Sequence, residues 1–65
     1  MEEFLNKSVW IKIKTENSFI SFTAKKVIDI SKTHITFIDK FDIMQMFLIS
    51  DIVQIKELKE EINNG

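Results

Sequence analysis

The sequence predicts a mainly β domain, a short N-terminal helix followed by a five-stranded meander that bends strongly into a small barrel, and three observations predict it. Apolar positions alternate with a period of two over most of the 65 residues, the period at which side chains share one face of a strand. β-Branched and aromatic types dominate, with twelve Ile and six Phe, and these fit a pleated, half-buried surface. Short polar turns punctuate the apolar runs at regular intervals, as in an antiparallel meander.

Residues 1–7 carry Glu2 and Glu3 early, where a helix N-terminus favours negative charge, so a short helix is expected there. The first strand follows, with Val9, Ile11 and Ile13 on one face and Trp10, Lys12 and Lys14 on the other. Thr15-Glu16-Asn17-Ser18 is a turn, and Asn17 is the residue in it best able to take a positive φ. In residues 19–30 the pattern changes phase: Ile20, Phe22 and Ala24 share a face, Lys25-Lys26 interrupts, and Val27, Ile28 and Ile30 resume on a shifted register. A phase change inside one long strand marks a bulge or sharp bend, expected here at residues 24–26.

Ser31-Lys32-Thr33 forms the next turn, residues 34–38 a third strand, and Asp39-Lys40-Phe41-Asp42 another turn. Residues 43–49 are apolar on both faces except Gln45, which describes a strand covered from two sides. A domain this small lacks the mass to cover both, so one side is expected to be a subunit interface formed by Ile43, Met44, Met46, Phe47, Leu48 and Ile49, with Val53 and Ile55 of the last strand. Ser50-Asp51 suits one 3₁₀ turn, residues 52–58 form that last strand, and the polar stretch 59–65 is expected to be a flexible tail. No linker, repeat or low-complexity tract divides residues 1–65, which read as a single domain.

Composition narrows the function. Nine Lys, no Arg and ten acidic residues give net −1, which is not the footprint of a protein that holds duplex nucleic acid by neutralising phosphates. Without Arg, bidentate forks to phosphate or guanine edges are absent and Lys offers only a point charge. A fold of this size buries only about 60% of the surface its unfolded chain exposes. With no Cys there is no disulfide to reinforce it, so self-association is the expected device. No apolar run is long enough to span a bilayer, and the acidic start lacks the features of a signal peptide. A cytoplasmic protein is expected, and the Ile-, Lys- and Asn-rich usage suggests an AT-rich bacterial or phage genome.

No nucleophile, base and orienting group stand at a recognisable spacing, and the only adjacent carboxylates, Glu2-Glu3 and Glu60-Glu61, lie at the ends. The chain is expected not to be an enzyme, with no cofactor and no metal. Binding chemistry is more legible. Trp10, Lys12 and Lys14 share a strand face and Lys25-Lys26 sit at the bend, a stacking surface beside phosphate-binding charge. The plainer reading of these residues is an outer face whose Lys stems cover the indole. His34, the single His, opens the third strand, where it could stack on a base; a solvated strand edge is the plainer reading.

The order of elements also resembles a known family. A short helix, five strands, a bent second strand and a tight turn between the fourth and fifth are similar to the Sm-like proteins, including their bacterial branch, Hfq. Phe4-Leu5-Asn6 looks like the start of the Hfq helix, Val9-Trp10-Ile11-Lys12-Ile13 like its first strand, and residues 45–52 like its second sequence motif. The resemblance implies an SH3/Sm-like small barrel and a ring in which the fourth strand of one subunit pairs with the fifth of its neighbour. It does not bring the family's RNA pocket, because the Lys-His pair of Hfq falls on Ile49-Ser50. The expected function is thus a non-enzymatic homo-oligomer that binds single-stranded RNA or nucleotides through Trp10, Lys12, Lys14, Lys25, Lys26 and His34. The alternative is a small regulatory or inhibitor module that binds a protein partner or sequesters a nucleotide; a membrane is not among the expected partners.

Overall fold

The computed structural model describes residues 1–59. Five antiparallel strands form one sheet: β1 (Val9–Lys14), β2 (Phe19–Ile30), β3 (His34–Asp39), β4 (Met44–Leu48) and β5 (Ile52–Glu57). Their spatial order is β4-β3-β2-β1-β5, so β4 and β5 are its two edges and the sheet is not closed. Among the described residues no helix is long and apolar enough to cross a membrane.

The long β2 explains how so short a chain acquires a core. Its first half pairs with β1, from Phe19 opposite Lys14 to Ala24 opposite Val9. Its second half pairs with β3, and Ala24 faces Asp39 there, so this small residue is shared by both ladders. The β2–β3 register shifts between Ala24 and Lys26, where the apolar pattern changes phase, and again between Val27 and Asp29. Such shifts bend a strand and sharpen its twist. The peptide groups left over at the irregularity are taken up by the segment before β1: Asn6 N–H donates to the Val27 carbonyl (2.8 Å) and Val27 N–H to that of Lys7 (3.0 Å). The Ser8 hydroxyl donates to the Lys25 carbonyl (2.7 Å). Asn6 adopts φ 66° to make this approach, a left-handed conformation that Asn tolerates better than most residues.

The bend turns one face of both halves inward. Val9, Ile11, Ile13, Ala24, Val27, Ile35 and Phe37 are buried there, each of the larger side chains contributing roughly 1.5–3 kcal/mol by leaving water. Phe37 is flanked by Phe22, edge-on with centroids 5.7 Å apart, and by Phe47, stacked at 6.0 Å. These three rings join β2, β3 and β4.

Several expectations are corrected. The helix expected over residues 1–7 is a 3₁₀ turn at Glu2–Phe4, since the chain must turn extended by Leu5 to reach β2 and has no room for further turns. Asn17 does not take a positive φ; Asn6 and Asp42 do. The β1–β2 turn is held instead by Thr15 N–H to the Ser18 carbonyl (2.8 Å) and Ser18 N–H to the Thr15 hydroxyl (3.1 Å). The second 3₁₀ turn spans Ile49–Asp51. In β4, Gln45 and Phe47 are half-buried, whereas Met44, Met46 and Leu48 are exposed in the single chain, on the side where the sequence leads one to expect a second subunit. The flexible tail expected over 59–65 lies, after Lys59, outside the described residues.

Candidate nucleic-acid interface

Alternation on β1 sends Val9, Ile11 and Ile13 into the core and Trp10, Lys12 and Lys14 to the outer face. Cross-strand pairing decides their neighbours. Trp10 stands between Thr23 of β2 and Lys56 of β5, Lys12 between Ser21 and Gln54, and Lys14 opposite Phe19. The Lys56 ammonium lies 5.7 Å from the centroid of the Trp10 ring, and that of Lys12 4.9 Å from the Phe19 ring. Each pair is a cation over an aromatic face, favourable by about 0.5–1 kcal/mol at an exposed site. Two aromatic surfaces and three ammonium groups thus share the outer face of β1, β2 and β5.

A cavity of about 360 Å³ opens beside this stripe, lined by Trp10 of β1, by Ser21, Phe22 and Thr23 of β2, and by Asp39, Lys40 and Phe41. The last three belong to the end of β3 and the β3–β4 turn. Asp39, only 4% exposed at the end of β3, accepts the N–H groups of Phe41 and Ile43 on Oδ1 (2.9 Å each) and the Gln45 side-chain amide on Oδ2 (3.0 Å). Asp42 N–H donates to the Asp39 carbonyl and Lys40 N–H to that of Thr23 (3.0 Å each), which fixes the turn to β2. The Gln45 amide above all, with the Ile43 and Phe41 N–H groups and the Lys25 charge, holds the Asp39 carboxyl below its ordinary pKa against the opposing effect of burial.

No family model, curated protein or solved structure matches this chain.

The structure brings together only part of the expected site. Trp10, Lys12 and Lys14 form one stripe. Lys25 turns to the β3–β4 turn, where its ammonium pairs with Asp42 at 2.6 Å. Lys26 stands opposite Ile38, beyond the register shift. His34 opens β3, roughly 17 Å along the strand from Asp39 at ~3.3 Å per residue, and its Nδ1 lies 2.8 Å from the Thr33 hydroxyl. Phe19, Lys40, Phe41 and Lys56 were not expected in the site. Cross-strand register brings Phe19 and Lys56 there, and the β3–β4 turn brings Lys40 and Phe41.

The expected interface residues divide likewise. Ile43, Met44, Met46, Leu48 and Val53 are exposed, while Phe47, Ile49 and Ile55 pack against the chain's own core. Among the described residues no group of three or more His, Cys, Asp or Glu stands close enough to hold a metal ion.

Proposed function

We propose that this chain is a non-enzymatic, self-assembling, Sm-like protein of the cytoplasm that binds single-stranded RNA or nucleotides. The observation that carries the reading is the outer stripe on which Trp10, Phe19, Lys12, Lys14 and Lys56 converge from three strands. Bases stack on aromatic side chains without regard to sequence, and ammonium groups meet the backbone phosphates. The weak net charge argues for a local strand contact rather than a long electrostatic track.

Self-assembly is supported by the two edges. Among the described residues β4 and β5 each leave one row of N–H and C=O groups without a strand partner, a template for pairing with another chain. Met44 and Met46, 62% and 61% exposed on β4, give that edge an apolar flank. In the Sm-like arrangement β4 of one copy pairs with β5 of the next, which closes a ring of bent small barrels and covers both.

The test is light scattering coupled to size exclusion on protein purified without nuclease, with absorbance at 260 and 280 nm. A ring-sized particle with excess 260 nm absorbance is expected. The exposed Met44 and Met46 favour, as a second reading, a regulatory module that docks a protein partner; a monomer with a clean protein spectrum would support it and remove the ring. In oligonucleotide titrations, Trp10→Ala with Lys12→Ala should weaken binding, and each Lys lost should lower the salt slope by about 0.7. Unchanged affinity in that double variant sinks the assignment of this face.

A further inference from the structure

Phe41 is a large apolar side chain left 71% exposed, and the turn beneath it is among the most firmly held in the molecule. Its N–H is fixed by the buried Asp39 carboxylate, and its neighbour Lys40 is tied through its own N–H to β2. Burying a carboxylate is costly unless it is hydrogen-bonded, and here the hydrogen bonds serve to fix the turn that carries an exposed ring beside Trp10. The Lys40 ammonium lies 5.4 Å from the Phe41 ring centroid, and none of the ion pairs among the described residues involves it.

We infer that the cleft between Trp10 and Phe41 is a seat for one purine base of a nucleotide, with Lys40 placed to meet its phosphate. The inference rests on the nucleic-acid reading above and deepens it. The volume of about 360 Å³ lies at the small end of ligand sites, enough for one base and part of its sugar. Lys56 of β5 lies 5.7 Å from the Trp10 ring centroid, and Ser21 and Thr23 of β2 line the cavity together with the indole. A purine offers more ring area than a pyrimidine to the two aromatic residues that line this cavity, and stacking strength is the source of base preference where no hydrogen-bond code is read. Lys40 supplies a single mobile positive charge, suited to phosphate as a point contact. Asp39 is a positioning residue: it sets where Phe41 stands.

Trp10 is the only Trp in the chain, so its fluorescence reports on this cleft. Short oligoadenylate and oligouridylate are titrated at low salt into the wild type, Phe41→Ala, and Lys12→Ala with Lys14→Ala. Oligoadenylate should quench Trp10 and bind more tightly than oligouridylate. Phe41→Ala should weaken oligoadenylate about tenfold with an unchanged circular dichroism spectrum, whereas the double Lys variant should weaken both strands by the same factor. Equal binding of the two strands, or unchanged oligoadenylate affinity in Phe41→Ala, overturns the seat and leaves the β1–β5 stripe standing. Failure of both strands to bind the wild type overturns the nucleic-acid reading and the seat with it.

Discussion

The outer surface of this sheet has two halves of opposite character. Over β1, β2 and β5 the aromatic rings are met by lysines, Lys12 on Phe19 and Lys56 on Trp10. Over β3 and β4 the exposed apolar side chains, Met44, Met46 and Leu48, stand alternately along an edge strand. The inner faces of both halves are alike, a floor of Ile, Val and Phe. The difference teaches that the core specifies the fold for both halves, while each outer face is free to present its own chemistry: charge and π-surface on one side, soft apolar contact on the other.

That separation is open to experiment. Phe37→Ala strikes the floor common to both halves, because this fully buried ring contacts Phe22 and Phe47. A loss of about 3–5 kcal/mol is expected, comparable with the whole stability of so small a domain, and urea unfolding followed by circular dichroism should find the variant largely unfolded.

Asp39 tests the turn that joins the two halves. Its carboxyl is held below the ordinary value of 3.8, chiefly by the Gln45 amide and the Ile43 N–H. A group with a depressed folded pKa contributes stability that is present above its unfolded value and lost as pH falls through the folded one. The urea midpoint should therefore fall as pH drops below 3.8, and Asp39→Asn should lower the midpoint at neutral pH while flattening its acid dependence. Glu3, whose carboxyl is also lowered, by a backbone hydrogen bond and then by the N-terminal ammonium, would leave a residual slope.

The β4 face is probed by Met44→Lys with Met46→Lys. Both side chains are exposed in the single chain, so unfolding of the subunit should shift by less than about 0.5 kcal/mol, while on the proposed β4–β5 assembly light scattering should find the double variant reduced to smaller species. An assembly of unchanged mass would place the subunit contact elsewhere. A small effect is expected at Lys25→Ala as well. Its 2.6 Å pair with Asp42 is exposed on both sides and should contribute no more than about 1 kcal/mol, diminishing with salt, which a melt at low and high salt would show.

Much of the fold could be read from the chain. The first and second strands occupy the expected spans, Val9–Lys14 and Phe19–Ile30, and the irregularity in β2 falls at Ala24 to Lys26, because a change of phase in a period-two pattern is itself the signature of a bulge. The N-terminal turn was less legible: Glu2 and Glu3 favour a helix start, but hydrogen bonds from Asn6 and Val27 require the chain to straighten early. The site was half legible. Trp10, Lys12 and Lys14 share a face by alternation alone, whereas Phe19 joins them across the first hairpin, Lys56 through the pairing of β1 with the distant β5, and Lys40 and Phe41 through the fold of the β3–β4 turn. Asp39 has the composition of an ordinary turn residue, and only its burial shows that it anchors the turn.

The sequence by itself determined where the strands lie and which side chains point together within each, because alternation and turn chemistry act over a few residues. Tertiary structure alone decided that β1 lies between β2 and β5, that β4 and β5 become edges, and that Phe41 and Trp10 line one cavity. Those outcomes depend on pairings between residues distant in sequence, selected by which register buries the shared floor, and no local pattern encodes them.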